Sequence, residues 1–271
     1  AANFAYWQEN LADPPHPITL PAQDHPRPPT LTFEGLSIRS IVPEEIHSQL
    51  SGIAREENIS EFSLFLSVFA YQLHDYSRRD DLILGSFSAG RGRAEYASTV
   101  GYFVNPVIIR SVKTEATDTF DQWLRLSARQ SREALDHADA PFPWLVEKLK
   151  PERQPNRSPF FDISFNFLTR KAITNIKQKQ GKQSDLETFD FRQADGKFDL
   201  TLTLLEDNGQ LQATFGYNCH LFEESTIRHF AEDYQMLLRT FANDPQTRFS
   251  DLNNWQRTAP PEIVTPEPCL Q

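Results

Sequence analysis

The chain has 271 residues, 39% of them hydrophobic and 12% aromatic, with 21 Phe, so it can bury a sizeable core and falls outside the disordered class. A formal net charge of -10, from 37 acidic against 27 basic residues, argues against nucleic acid as a partner, because that affinity rests on neutralising phosphates. No run reaches transmembrane length and no secretory signal pattern is seen, so no membrane role is expected.

In chain order, Asn3 to Leu11 reads as the end of a helix. Pro14, Pro15, Pro17, Pro21, Pro26, Pro28 and Pro29 then exclude helix and central strand, which makes residues 1–30 a helix end and an extended linker. A strand-like run covers Phe33 to Val42. Pro43 opens a helix with Ile46, Leu50, Ile53 and Ala54 on one face. Phe62, Phe65, Leu66, Phe69 and Leu73 mark a second helix, and Leu64, Val68 and Tyr71 fill its other side, which predicts burial all round.

Leu82 to Phe87 is a short apolar strand, and Tyr102 to Val112 is another, bent at Pro106. Asp118 to Asp136 is an amphipathic helix, and Trp144 to Leu149 a short one after Pro143. Phe160 to Leu168 reads as a strand and the polar stretch Thr169 to Ala194, which holds the basic cluster Arg170, Lys171, Lys177, Lys179 and Lys182, as a long loop. The clearest local signal is a hairpin. Phe198, Leu200, Leu202 and Leu204 alternate with polar residues, Asp207-Asn208-Gly209 turns the chain, and Leu211, Ala213, Phe215 and Tyr217 alternate on the return. Ile227, Phe230, Ala231, Tyr234, Leu237, Leu238 and Phe241 give a last helix. The body is expected over 31–243, with a Pro-rich exit linker at 244–271 that is extended after Asp251. The predicted class is α/β (α+β), a mixed sheet flanked by helices.

Chemical motifs are sparse. No phosphate-cradling loop, nucleophile elbow or HExxH is present. The two cysteines, Cys219 and Cys269, make no disulfide framework, and no Cys/His spacing along the chain suits a metal, so no metal and a reducing, cytoplasmic setting are expected. His47, His74 and His229 read as helix-surface or core-edge histidines, and Cys219, beside His220, as a small buried apolar residue. His137 and Asp139, two apart at a helix end, read either as a proton-sharing pair or, more simply, as a helix C-terminal His and a cap for the next turn.

Val100-Gly101-Tyr102-Phe103-Val104-Asn105-Pro106, continuing to Arg110, is similar to the (V/I)GxFVN…R motif of nonribosomal peptide synthetase condensation domains. His137 to Phe142 resembles that family's HQDxPF, with Ala138 for Gln. Pro151-Glu152-Arg153 with Arg157-Ser158-Pro159-Phe160-Phe161 resembles PERDxSRxPLF, with Gln154 for Asp and Phe160 for Leu. Asn3 to Trp7 matches most of YxDFAVW, and Gly85 to Arg91 and Lys197 to Leu200 also fit. The Pro141 to Pro143 form looks like members of mixed polyketide–peptide assembly lines. The family's catalytic HHxxxDG has no counterpart, since no two histidines are adjacent.

The resemblance implies the second, C-terminal lobe of a condensation domain, a single chloramphenicol-acetyltransferase-like lobe with no catalytic residue of its own and inactive alone. It implies a tunnel wall with Ser86, Ser88, Gly90 and Arg91 near an incoming phosphopantetheine arm, Arg91 meeting its phosphate; ordinary strand alternation is the plainer account of the two serines. Gly101, Phe103, Asn105, Arg110, His137, Asp139, Pro141, Phe142, Arg153, Arg157, Ser158 and Pro159 are assigned motif-structural roles. Asn105 is expected to tie strand to loop, and Arg110 and Arg153 to make charged bridges or surface pairs. No cofactor is expected to bind directly; phosphopantetheine arrives on acyl or peptidyl carrier proteins. The other partner is an N-terminal lobe or neighbouring megasynthase domains. The hairpin Lys197 to Tyr217 and the preceding polar loop are expected to reach toward that lobe, leaving an apolar face exposed. A non-catalytic remnant that binds carriers or spaces domains, and a lobe completed by another chain, are the alternatives.

Overall fold

The computed structural model describes residues 2–15, 17, 18, 20, 24–91, 96, 99–169, 196–207 and 209–252. Its elements are α1 (Ala2–Asn10), β1 (Gly35–Val42), α2 (Glu44–Glu56), α3 (Glu61–Ser77), β2 (Asp81–Ser88), β3 (Asn105–Val112), α4 (Phe120–Asp136), α5 (Phe142–Leu149), β4 (Ile163–Thr169), β5 (Leu200–Asp207), β6 (Gln210–Asn218), α6 (Glu224–Asn243) and α7 (Phe249–Leu252). The strands form one mixed sheet in the order β1-β6-β5-β4-β2-β3. β4 runs parallel to β2 and to β5, and the remaining pairs are antiparallel.

The alternation read in the hairpin sets the two faces of this sheet. Leu200, Leu202 and Leu204 pair with Tyr217, Phe215 and Ala213, and all six are buried. Ile163 and Phe165 extend that row on β4, and Leu36, Ile38, Ser40 and Val42 extend it on β1. Helices α2, α3, α4 and α6 cover this side. α3 lies at the centre, with Ser63 through His74 buried without interruption. Ser60 caps it by accepting from the Ser63 amide at 3.1 Å. Neighbouring helices pin its backbone with side-chain hydrogen bonds: Trp123 Nε1 donates to the Ser67 carbonyl at 2.8 Å and Tyr234 Oη to the Phe65 carbonyl at 3.2 Å. Burial pushes the Tyr234 hydroxyl well above its ordinary pKa, so it stays a donor.

The opposite face is divided. Ile83, Gly85 and Phe87 on β2 and Arg110 on β3 share it, and there Phe161 and the ends of α1 and α5 pack. Farther across, it is a field of half-buried polar side chains, Asn166, Thr201, Thr203, Gln212 and Thr214. Ser164 Oγ and Thr201 Oγ1 are 2.9 Å apart within it.

Several expectations change. The hairpin does not reach outward: β5 and β6 lie between β4 and β1, inside the sheet, because their alternating leucines and aromatics have a helical layer to bury against. On the opposite face, among the described residues, half-buried Thr201, Thr203 and Thr214 lie beside the exposed Leu168 and Ile41, so the expected apolar exposure is present only in part. The Pro-rich stretch is not detached, since among its described residues Ile18 and Leu20 belong to the same buried core as Trp7 and Leu11. The body does not stop at 243. The Phe120 amide donates to the Thr247 carbonyl at 3.1 Å, and the Phe249 amide to the Asp118 carbonyl at 2.9 Å. Phe249 is buried and stacks on Tyr71 at 4.2 Å. β3 begins at Asn105 rather than Tyr102, and Pro106 is tolerated because β3 is an edge strand. The loop expected over 169–194 lies outside the described residues from 170, as does the tail after Leu252.

His74 is not at the edge of the core but inside it. Nδ1 lies 2.6 Å from the Arg79 carbonyl and Nε2 3.0 Å from the Ser111 hydroxyl, which fits a neutral ring with its proton on Nδ1. Burial holds its pKa down at about 4. An unfolded histidine titrates near 6.5, so the stability this ring brings is complete above about that pH and is lost as pH falls toward its folded value. At ~1.4 kcal/mol per pH unit, the loss between pH 7 and pH 5 is about 2 kcal/mol. Urea unfolding of the wild type and of His74→Gln at the two pH values is expected to show that increment in the wild type and its absence in the variant.

Candidate functional site

Strand β2 and the turn that follows it each hold a glycine whose side-chain hydrogen is required. A Cβ on Gly85 would lie 2.0 Å from the Phe161 ring. Gly90 has φ +63°, and a Cβ there would lie 1.9 Å from the Phe103 carbonyl oxygen. Ser88 Oγ accepts from the Gly90 amide at 3.2 Å. Arg91 turns back onto its own loop. It donates to the carbonyls of Tyr96, of Thr99 at 2.9 Å and of Gly101 at 3.3 Å, and its guanidinium sits 4.4 Å from the Phe103 ring centre. The structure therefore gives Arg91 a loop-holding arrangement, and a phosphate would compete with these carbonyls. Ser86 is buried on the helical side of β2, opposite Val107, while Ser88 is half-buried. Ser86 and Ser88 thus follow the strand alternation, and Gly90 and Arg91 shape the turn. Val100 and Tyr102, on either side of the exposed Gly101, project into solvent.

Asn105 joins two motifs that are distant in sequence. Its Nδ2 donates to the carbonyls of Ala138 at 2.9 Å and Ala140 at 2.8 Å, and its Oδ1 accepts from the Phe142 amide at 2.9 Å. One side chain thus satisfies both carbonyls of the turn after α4 and the first amide of α5. This corrects the assignment of that cap to Asp139, which is exposed, while Pro141 at the N-cap contributes no side-chain bond. Phe142 packs edge-on against Phe160 and Phe161 at 6.0 and 5.9 Å.

His137 and Asp139 do not form a pair. The His137 ring stacks on Tyr6 at 4.0 Å, its Nδ1 lies 3.0 Å from Asn3 Oδ1, and its carbonyl accepts from Trp7 Nε1 at 3.2 Å. All three partners belong to α1. Burial, with Glu133 and Asp136 nearby, pushes the Tyr6 hydroxyl up to about 12. Arg110 holds the other end of α1, donating to the carbonyls of Asn10 at 2.7 Å and Asp13 at 3.0 Å, and it forks onto Asp81 at 2.6–3.2 Å.

The remaining motif closes a charged knot. Arg157 donates to Asp162 at 2.6 Å, and the Ser158 amide donates to the same carboxylate at 2.9 Å. Pro159 and the left-handed Phe160, at φ 70°, turn the chain into β4. The Asp199 amide reaches the Asp162 carbonyl at 2.7 Å, and Arg27 clamps both Asp199 oxygens. Burial pushes the Asp199 carboxyl up, opposed by the bonds from Arg27. Arg153 lies exposed on the surface. Sequence reasoning passed over Arg27, Asp81 and Asp162. The signal for Arg27 was a single Lys or Arg within the proline run.

These contacts make the quoted motifs one connected framework. The family described as Condensation domain matches residues 2–261. The chain belongs to the condensation-domain family. It is 32% identical over 258 residues to chondramide synthase cmdD of Chondromyces crocatus, an alignment covering 93% of this chain and 6% of that protein. Its fold superposes with TM-score 0.82 on the four-domain nonribosomal peptide synthetase AB3403 bound to AMP and glycine, at 26% identity, covering 92% of this chain and 20% of that one. The X-domain from teicoplanin biosynthesis shares the fold at TM-score 0.77 and 20% identity, with 92% of this chain matched to 56% of that chain. The condensation-domain chain thus spans a small share of the multidomain relatives and about half of the X-domain.

Asn105→Ala in this condensation-domain chain removes the donor to two carbonyls and the acceptor for one amide. Unsatisfied groups of this kind cost about 1–3 kcal/mol each when buried, and with part of the site reachable by water a total near 2 kcal/mol is expected. Chemical denaturation measures the loss, and hydrogen exchange at the Phe142 amide should accelerate more than exchange in α3.

Proposed function

We propose that this chain is the C-terminal lobe of a peptide-bond-forming condensation domain in nonribosomal or mixed polyketide–peptide biosynthesis. The observation that carries this reading is the ordered set of condensation-domain motifs, held in one framework by Asn105, Arg110 and His137, in a chain whose fold matches about half of the X-domain. In this reading the lobe walls one side of a tunnel and helps dock carrier proteins that deliver substrates on phosphopantetheine arms. An amine on the acceptor carrier attacks the thioester carbonyl on the donor carrier. A C–N bond forms, the C–S bond breaks, and the amine proton passes to a base as the donor thiol leaves. Positioning both arms in one tunnel supplies effective concentration. The base in this reading lies on the N-terminal lobe, because no adjacent histidine pair occurs in this sequence. This reading puts the reaction in the cytoplasm, and it is supported by the lack, among the described residues, of a helix long and apolar enough to cross a membrane.

The Ser86 to Arg91 segment supports a boundary role more than a catalytic one, since its polar groups are buried or occupied by loop carbonyls. The hydroxyl-lined half of the sheet, with Thr201, Thr203 and Thr214, suits a wall in contact with polar amide and pantetheine groups. The central, well-packed hairpin favours a second reading, a self-standing remnant that binds carriers without catalysing condensation.

Mixing the purified chain with loaded donor and acceptor carriers is expected to yield no amide above the uncatalysed rate by mass spectrometry. Adding an N-terminal lobe containing HHxxxDG is expected to restore product. Product without that lobe overturns the assignment of catalysis to it; carrier binding with no rescue by the lobe selects the remnant.

A further inference from the structure

We propose that Glu34, Cys219 and His220 form a binding site for a single zinc ion at the end of the β1–β6 ladder. The ladder's last pair is Gly35 with Asn218, so Glu34 and Cys219 are the next residues on the two strands and His220 follows directly. A carboxylate oxygen, the thiol sulfur and an imidazole nitrogen all lie within 4.8 Å of one another. His220 Nε2 is already 2.7 Å from Glu34 Oε2. Cys219 also lies against Glu34, its amide 3.4 Å and its Sγ 3.6 Å from the Glu34 backbone carbonyl. In a tetrahedral zinc site with ligand bonds near 2.0–2.3 Å, donor atoms stand about 3.6 Å apart. Placing an ion among these three therefore needs only side-chain adjustments of about an ångström, within ordinary rotamer freedom.

The backbone that presents the donors is fixed independently of any ion. Asn218 is buried, and its Nδ2 donates to Thr32 Oγ1 at 2.8 Å on the segment leading to Glu34. Its Oδ1 accepts from the His220 amide at 2.9 Å. Its carbonyl accepts from the amides of Leu221 and Phe222 at 3.0 and 3.2 Å, and both of those side chains are buried. Asn218 thus orients the strand carrying Glu34 and the turn carrying Cys219 and His220, the supporting role that surrounding hydrogen bonds play in metal sites. Little ordering remains to oppose binding.

The ligand set selects the ion. Thiolate and imidazole disfavour magnesium and calcium, which prefer oxygen, and suit zinc. One thiolate and one carboxylate neutralise the divalent charge, while Glu34 and His220 stand exposed, leaving room for water as a fourth ligand. The ion would join residues 185 positions apart and clamp the start of edge strand β1 to β6. Because the thiol must lose its proton and the imidazole must be neutral, affinity is expected to rise with pH.

The test uses the full chain with Cys269→Ser, so that any thiolate signal belongs to Cys219. Cobalt(II), then zinc(II), is titrated into the chelator-treated protein. One equivalent of cobalt is expected to bind with a thiolate-to-cobalt charge-transfer band and tetrahedral d–d absorption, zinc is expected to displace it, and zinc is expected to raise the unfolding temperature. Cys219→Ser should abolish the band, and Glu34→Gln and His220→Ala, both at exposed positions, should each weaken zinc by at least about tenfold. Metal-free unfolding midpoints of these two variants, equal to the parent's, show that the fold is intact. No charge-transfer band, or zinc affinity unchanged in Glu34→Gln and His220→Ala, marks an adventitious ion only and overturns the site.

Discussion

Helix α3 is buried on every side, and the rest of the protein is arranged to keep it out of water. Ser63 through His74 are buried in sequence, so the sheet must lie under one side and helices must close the others. α4 and α6 do this with apolar contact and with polar reach, Trp123 and Tyr234 each satisfying a backbone carbonyl of α3. A helix held this way fixes the position of β4 beneath it through Phe165 and Phe167, which pack on Phe62, Phe69 and Phe65, and β5 pairs along β4. Once those central strands are set, the flanking strands and both motif loops have a platform.

On that platform the condensation-family residues act mainly as joints. Asn105 closes one turn onto another, Arg110 and His137 hold the two ends of α1, and Arg157 and Arg27 each satisfy a buried carboxylate, Asp162 and Asp199. The glycines of the Gly85 to Arg91 segment are fixed by contact, one against an aromatic ring and one against a carbonyl. The chemistry-like residue types in these motifs answer desolvation here: a buried amide, guanidinium or carboxylate needs its partners.

The hairpin, α3 and the long helices were legible because their signals are local, a period of two or a run of apolar residues filling every turn. Family membership was legible from motif order. What stayed hidden depends on distant neighbours. Asp139 looks like a cap in sequence, yet the cap comes from Asn105, 37 positions before Phe142. Arg27 looks like linker and proves to be a core-side clamp, and the segment after Asp244 looks like an exit yet places Phe249 on Tyr71. Cys219 and His220 show no metal spacing along the chain because Glu34 arrives only through strand pairing. Strand alternation also explains why the reading of Ser86 as a tunnel residue meets a buried side chain.

The polar half of the sheet has a mechanical consequence. Threonine hydroxyls exchange hydrogen bonds between protein and water at small net free energy, so a stretch made of Thr201, Thr203 and Thr214 gains little by being covered and loses little by being bared. A body resting on such a surface is located by shape and by specific bonds rather than held by adhesion. Two parts meeting over those threonines can separate and close again at little cost from the hydroxyls themselves.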